Sequence, residues 1–542
     1  MKDIVLEDKT DDLFPDVSEI PERFCLKSPV MQREYLINGE LRLWDGEMQE
    51  IRSPIYVKTT SGIIQPVIGS YPLLTEKESM EALEAAISAY DHGRGGWPSM
   101  SVYERIACVE TFLAEMLSKK EEILTLFMWE IGKSLEGALQ EFDRTTEYIR
   151  NTIDAVKSLD RSSSQCVREQ GILGHIRRAP LGVVLCMGPY NYPLNETLSI
   201  LIPALIMGNT TVIKPPKLGV LLHYPLLSAF RTSFPAGVVN IVYGEGKQII
   251  PPILRTGKVD VLAFIGSSRV SEKLKSMHPK PHRLRSILGL EAKNPGIVLP
   301  DADIELAIKE CVQGSLAFNG QRCTALKILF VHSQIAGAFL DRFAEQMDRL
   351  KCGMPWEEGI VITPLAESDR TTFLNELVKN AEKYGARIMN RSGGSFHGNF
   401  FHPTLLYPVN EKMRIYREEQ FGPVVPVVPF DDIEIPVRYI IQSSYGQQAS
   451  IFGKDTEIMR KLTDILVNQV CRVNINCMCQ RGPDVFPFAG RKDSGEGTLS
   501  VSDALRVFSI RTMVTTTDVQ ENKEILAGIV RGSSSEVTSG NS

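Results

Sequence analysis

No segment of the chain stays apolar for the roughly 20 residues that a membrane-spanning helix needs. The most apolar window, Leu198 to Ile213, is interrupted by Pro203, Gly208 and Asn209 and reads as buried core, so no membrane partner is expected. A basic excess is also missing. The 60 Lys and Arg against 66 Asp and Glu leave a formal charge of −6, which gives nucleic acid no electrostatic footprint, although a local patch can still hold an anionic substrate. The acidic start, Met1 to Asp16, lacks the charged-then-apolar pattern of a secretory signal, and the cytoplasm is the expected compartment. The ten cysteines are scattered, and the close pair Cys477 and Cys479, with Cys471 nearby, has neither a second pair nor histidines at zinc spacing. A reducing environment and no structural metal are therefore expected. No G-x-G-x-x-G follows a predicted strand either, which removes the standard Rossmann fingerprint.

What is present is size and pattern. At 542 residues and 43% apolar content the chain can build two or three cored domains. Thr75 and Glu78 form a Thr-x-x-Glu capping box ahead of Met80, Leu83 and Ile87, which predicts a helix to Tyr90. Two more helical patterns, about Val102 to Ile131 and Ser134 to Lys157, complete an α-rich first part; the second carries Leu135, Ala138, Leu139, Phe142, Ile149 and Ile153 along one stripe. From Gly182 onward short apolar runs alternate with helical segments: Val183 to Met187, Thr211 to Ile213, Val238 to Val242, Val261 to Ile265, Ile297 to Leu299 and Ile328 to Val331. That alternation predicts an α/β protein with parallel strands covered by helices, and a ligand site just beyond the strands' carboxyl ends.

Several segments near those strand ends carry chemistry. In Phe318-Asn319-Gly320-Gln321-Arg322-Cys323-Thr324 a cysteine beside a cation and a glycine turn is suited to nucleophilic attack as a thiolate, whereas an isolated cysteine is more often inert core. Gly266-Ser267 follows Val261 to Ile265 and would offer free amides to a pyrophosphate, or serve as an ordinary turn. Lys214-Pro215-Pro216-Lys217 holds two lysines on a proline-stiffened backbone, as an anion site or a solvated turn. Asn191, in Gly188-Pro189-Tyr190-Asn191-Tyr192-Pro193, is either an oxyanion donor or a turn residue.

In order and spacing Asn191, Lys214, Gly266, Cys323 and Glu419-Gln420-Phe421-Gly422-Pro423 resemble the aldehyde dehydrogenase superfamily over roughly residues 40 to 518. The resemblance implies a variant Rossmann cofactor domain (46–160 and 180–290), an α/β catalytic domain (291–497) and a small β bridging arm (161–179 and 498–518) used in a homodimer or homotetramer. Residues 1–45 would be an N-terminal extension, either wrapping a neighbour or loose, and 519–542 a tail that is disordered near its end. By the same resemblance Cys323 attacks an aldehyde, Asn191 holds the oxyanion, Lys214 contacts the adenosine ribose, Ser267 the pyrophosphate and Glu419 the nicotinamide ribose, while Phe421 packs on the nicotinamide.

Lys217 stands where NAD-preferring relatives carry a glutamate, and a cation there would attract a 2′-phosphate; NADP is the expected cofactor. Arg144, Tyr192, Arg322 and Arg481 match positions that bind the substrate phosphate in non-phosphorylating glyceraldehyde-3-phosphate dehydrogenases, and converging guanidiniums suit a dianion. The expected reaction is NADP-dependent oxidation of that phosphorylated aldehyde through a thioester. A departure concerns the base that clears the thioester. Where the family has Glu-Leu-Gly-Gly-Lys, this chain has Gly289-Leu290-Glu291-Ala292-Lys293, so Gly289 takes the base's position and the motif's carboxylate moves to Glu291. Two residues along a strand is about 6.6 Å on the same face. Glu291 is thus either a shifted base or a salt-bridged or capping residue with deacylation assisted elsewhere, and acyl transfer to coenzyme A or a non-catalytic role for the fold are the alternatives.

Overall fold

The computed structural model describes residues 13–163 and 166–533. Met1 to Asp12, residues 164 and 165 of the expected arm, and the tail beyond Ser533 lie outside the described residues.

Among the described residues the alternation resolves into two large sheets, of eight and seven strands. In the first, Val183–Met187 is flanked on one side by Thr210–Ile213 and Val239–Ile241 and on the other by Val261–Ile265 and Arg285–Gly289, all parallel. Chain order reverses beside Val183–Met187, and a doubly wound sheet opens its crevice at the carboxyl ends where that happens. These strands read as unbroken apolar runs because helices cover both faces and their side chains are buried almost throughout. The second sheet runs parallel through Thr404–Tyr407, Val424–Phe430, Leu326–His332, Asn294–Val298, Gln448–Phe452 and Arg472–Ile475.

The expectation that the chemistry follows the strands holds for only half of the site. Cys323 and Glu419 lie ahead of Leu326–His332 and Val424–Phe430, at the amino ends of the second sheet. Carboxyl ends of one sheet and amino ends of the other therefore line the same cleft.

The first part of the chain is less helical than its pattern suggests. Val30–Met31, Met48–Arg52 and Val67–Pro72 form a small sheet, and the hairpin Glu34–Ile37 and Glu40–Leu43 extends the eight-stranded sheet through Leu36 and Ile241. Its turn, Asn38-Gly39, has φ of 54° and 76°, the left-handed pair that an Asn-Gly hairpin favours. Within the extension Phe14 and Phe24 are buried, and Trp129 Nε1 donates to the Phe24 carbonyl at 2.6 Å, so the segment from Leu13 onward packs on the chain's own core.

The capping box forms as read: Lys77 N donates to Thr75 Oγ1 and Thr75 N to Glu78 Oε2, opening the helix Glu76–Tyr90. The next pattern splits at Lys119 (φ −101°, ψ 10°) into Val102–Ser118 and Lys120–Ile131. A third helix, Leu135–Ser163, buries Ala138, Phe142, Ile149 and Ile153. The strand Ile172–Pro180 pairs with Cys166–Glu169 and Ser509–Thr517 in a separate three-stranded sheet, while the helix Val501–Val507 between them packs on Leu135–Ser163 and Asn195–Ile206. The described part of the C-terminal tail forms the helix Gln520–Ser533, anchored by buried Leu526 and by Asp518, which pairs with Arg168 and Lys523.

Candidate active site

The two sheets enclose a cleft of about 1450 Å³ whose walls include Asn191, Tyr192, Gly266, Ser267, Glu291, Arg322, Cys323, Glu419, Phe421, Arg144 and Arg481. Lys214 and Lys217 stand outside that wall, beyond the strand Thr210–Ile213. The structure thus brings together eleven of the thirteen residues singled out in the sequence.

Backbone strain presents the cysteine. After the helix Ile304–Leu316, Phe318, Asn319 and Gly320 take φ of 49°, 56° and 71° in succession. Left-handed backbone at two non-glycine residues costs on the order of 1–3 kcal/mol each and persists only where the surroundings impose it. Here Asn319 imposes it, donating to Thr363 Oγ1 at 3.0 Å and accepting from Thr363 N at 2.9 Å, both buried. Gly320 is obligatory: a Cβ there would lie 2.7 Å from the Gly422 carbonyl and 2.8 Å from that of Ser315.

Cys323 is half-buried at the end of this turn. Burial pushes its thiol above the usual range, opposed by the Lys327 ammonium and by Gln447, with Glu419 pushing up and Arg322 pulling down more weakly. The cation that matters most for the thiolate is therefore Lys327, not the adjacent Arg322. Lys327 is fully buried, pairs with Glu419, and lies 4.7 Å from the Phe421 ring centroid. Glu419 also accepts from Ala292 N at 3.2 Å. Lys293 fixes the same segment by donating to the Glu418 carbonyl at 2.8 Å and to Gln420 Oε1 at 2.6 Å.

Asn191 Nδ2 donates to the Gln321 carbonyl at 2.8 Å, which ties the proposed oxyanion donor to the cysteine loop. The Asn191 carbonyl in turn accepts from Lys133 Nζ at 2.7 Å. Lys133 is buried, pairs with Glu141, and sits 3.8 Å from the Tyr192 ring centroid and 4.3 Å from that of Phe318. Sequence reading missed Lys133 and Lys327; the signal for Lys327 is a lysine set in an apolar strand, while Lys133, between Gly132 and Ser134, carries no such mark.

The anion side of the cleft is built from opposed charges. Arg144 makes a two-pronged contact with Asp484, Nε to Oδ2 at 2.9 Å and Nη2 to Oδ1 at 2.7 Å. Arg481, almost fully buried, pairs with Glu196 and with Asp484 at 3.4 Å. Burial, with Arg144 nearby, pulls Arg481 down to about 10. Burial alone would raise the Asp484 carboxyl, yet the two guanidiniums hold it below its usual value. Arg322 donates to the Gly314 carbonyl at 2.7 Å, and its buried Nε has no partner among the described residues.

On the cofactor side Ser267 precedes the helix Ser268–Met277 without capping it through its own side chain. At Gly266 a Cβ would lie 2.3 Å from the tip of the Phe264 ring, so a larger residue there would have to displace that ring. Glu291 takes the capping alternative: its Oε2 accepts from Ser268 N at 2.7 Å. Lys214 donates to the Pro215 carbonyl at 2.9 Å, and burial together with Lys217 pulls it down to about 8. Lys217 is exposed, and among the described residues no carboxylate pairs with either lysine. Two adjacent cations lacking a counter-ion fit an additional phosphate. No group of His, Cys, Asp or Glu side chains among the described residues is arranged to hold a metal ion.

Comparison with known proteins agrees with this geometry. Residues 54–514 match the aldehyde dehydrogenase family model. An NADP-dependent glyceraldehyde-3-phosphate dehydrogenase from Streptococcus equinus is 32% identical over 497 residues, covering 90% of this chain and 98% of that protein. One of the same description from Pisum sativum is 30% identical over 471 residues, 84% of this chain and 93% of its own. The crystal structure of NADP-dependent glyceraldehyde-3-phosphate dehydrogenase from Bacillus halodurans C-125 complexed with NADP superimposes with a TM-score of 0.82 at 31% identity, covering 90% of this chain and 100% of that one. The chain belongs to the aldehyde dehydrogenase family.

Proposed function

We propose that this enzyme oxidises glyceraldehyde 3-phosphate to 3-phosphoglycerate with NADP. The observation that carries the reading is the placement of Arg144, Arg322 and Arg481 in one cleft with Cys323. A phosphate entering there would compete with Asp484 and Glu196 for the guanidiniums and receive the unpartnered Arg322 Nε–H, which sets the aldehyde carbon over the sulfur. Tyr192 closes the same wall. Asn191, together with the Cys323 amide, would hold the oxygen that becomes negative when sulfur attacks.

Lys214 and Lys217 would hold the adenosine ribose and its 2′-phosphate, the amides at Gly266 and Ser267 the pyrophosphate, and Glu419 the nicotinamide ribose against Phe421. So held, the cofactor would supply a hydride acceptor beside the carbon attached to Cys323, whose oxidation would leave a thioester on the sulfur. Because Glu291 already accepts from Ser268 N, its carboxylate would have to leave that amide for a pyrophosphate to use it. With Gly289 at the base's position, hydrolysis of the thioester is the step least provided for. That absence favours a second reading in which coenzyme A takes the acyl group.

The proposed setting is cytoplasmic; no helix among the described residues is long and apolar enough to cross a membrane. Assembly as a dimer or tetramer is proposed through the three-stranded sheet, which exposes Val167, Ile172, Ile510 and Met513. An NADPH absorbance assay tests the chemistry. Turnover of glyceraldehyde 3-phosphate without coenzyme A or inorganic phosphate, at a kcat/KM well above that for glyceraldehyde and with NADP preferred over NAD, is expected. Turnover that requires coenzyme A would replace the first reading by the second.

A further inference from the structure

Burying an ammonium together with a carboxylate stabilises a fold little more than apolar side chains of the same volume would. Lys133 and Glu141 form such a pair, both almost fully buried and both on the wall of the cleft. The lysine's place is fixed locally. Gly132, at φ 66°, ends the helix Lys120–Ile131, and Lys133 N donates to the Phe127 carbonyl at 3.3 Å. Glu141 lies on the helix Leu135–Ser163.

What the pair holds is the segment that carries Asn191. Lys133 Nζ donates to the Asn191 carbonyl at 2.7 Å, while Glu141 Oε1 accepts from Leu194 N at 3.1 Å and Asn195 N at 3.0 Å. Glu141 thereby caps the helix Asn195–Ile206, whose own N-cap residue, Leu194, has no side chain able to do so. An ammonium has three N–H donors. Glu141 and Asn191 take two, which leaves the third for the faces of Tyr192 and Phe318, with ring centroids 3.8 Å and 4.3 Å from Nζ. Phe318 opens the left-handed run ahead of Cys323. One cation thus joins the Asn191 backbone to the nucleophile's loop, and the Asn191 side chain reaches the same loop through its 2.8 Å bond to the Gln321 carbonyl. A carboxamide has a second N–H, and these two attachments set its direction.

We propose that Lys133 is a positioning residue that, with Glu141, fixes the Asn191 peptide so that the second N–H of its carboxamide meets the oxygen of the bound aldehyde as that oxygen becomes charged. In attack, the lone pair of the Cys323 thiolate forms the S–C bond and the carbonyl π pair moves to oxygen. A displaced donor loses more against the charged oxygen than against the neutral carbonyl, so the loss falls on the rate and not on substrate binding.

The proposal rests on the reading of Cys323 as nucleophile and Asn191 as oxyanion donor, and its test separates the two. NADPH formation in a single turnover would be timed in the double variant Lys133→Met, Glu141→Gln, which removes both charges and keeps an acceptor for Leu194 and Asn195. Lys133→Gln, whose shorter side chain cannot span Glu141 and the Asn191 carbonyl together, is the second variant. Each would be made in wild type and in Asn191→Ala. In wild type the rate is expected to fall about 10- to 100-fold, short of the about 100- to 1000-fold that loss of an oxyanion donor costs. The factor should be the same for glyceraldehyde 3-phosphate and glyceraldehyde, with half-saturation moved by less than about 2-fold. In Asn191→Ala the same changes should cost less than about 2-fold, because the donor they aim is gone. Equal losses in both backgrounds, as from a lysine that only holds the fold, would overturn the proposal. So would an equal fall in the rate at which iodoacetamide alkylates Cys323, which would place the damage in the nucleophile. An Asn191→Ala enzyme as fast as wild type would overturn the oxyanion reading and the proposal with it.

Discussion

Replacing Gly289 by glutamate should speed the step for which the site is least equipped. The position is the last residue of Arg285–Gly289, paired with Gly495 across the sheet edge and accepting from Gly266 N at 3.0 Å. A Cβ there would meet Ile265 at 3.4 Å and Leu499 at 3.5 Å, ordinary contacts, and the backbone is not left-handed. The substitution should therefore cost no more than about 1 kcal/mol of stability. A general base contributes about 10²- to 10⁴-fold when well placed; a carboxylate added without a supporting shell should reach the lower end, about 10- to 100-fold in deacylation. Rapid mixing with glyceraldehyde 3-phosphate and NADP should show a burst of NADPH in the wild type, because the thioester forms faster than it clears. In Gly289→Glu the burst should shrink and the steady-state rate rise. Glu291→Gln should leave the steady-state rate within about 2-fold, because that carboxylate is engaged at Ser268. A wild type without a burst, or a Glu291→Gln protein that accumulates thioester, would refute the reasoning and return Glu291 to the role of base.

Arg481→Leu should lower kcat/KM for glyceraldehyde 3-phosphate by about 10- to 100-fold, the value of a charge-assisted hydrogen bond, and leave glyceraldehyde almost unaffected; equal losses on both substrates would remove the phosphate pocket. Lys214 loses its proton as pH rises through about 8, so NADP binding, measured by calorimetry, should weaken above that pH, and Lys214→Met should flatten the slope. Asn319→Ala should destabilise the protein by about 2–4 kcal/mol, from left-handed backbone at alanine and an unpaired buried Thr363 N–H, and should lower kcat in proportion to the misplaced Cys323; an unchanged melting temperature would contradict the strain argument. Met513→Asp, on the exposed face of the three-stranded sheet, should shift the assembly seen by light scattering towards monomer.

Much of the first sheet is legible because its strands are buried on both faces. Val183–Met187 and Val261–Ile265 are apolar at every position, and each is followed by a glycine that marks its end. The capping box at Thr75 is legible because it is local. The break at Lys119 is not, since it falls in the polar run Ser118 to Glu122, whose residues are all tolerated inside a helix and carry no glycine or proline to mark a stop. The early strands escaped because several are two to four residues long, although Asn38-Gly39 marks the hairpin plainly. In the site, residue identity showed which side chains could bind an anion or attack a carbonyl. It did not show their partners. That Asp484 joins Arg144 to Arg481, or that Lys327 acts on the Cys323 thiol more strongly than the adjacent Arg322, depends on residues hundreds of positions apart or on the direction in which a side chain leaves the backbone.

The central claim is that Cys323 carries the acyl group of a phosphorylated aldehyde. It is tested most directly by quenching the enzyme in acid during turnover of glyceraldehyde 3-phosphate with NADP, without coenzyme A or inorganic phosphate, and reading the Cys323 peptide by mass spectrometry. A hydroxylamine-sensitive 3-phosphoglyceryl adduct on Cys323, absent from Cys323→Ser, is the predicted result. NADPH formation that survives in Cys323→Ser, or an adduct on another residue, would contradict it.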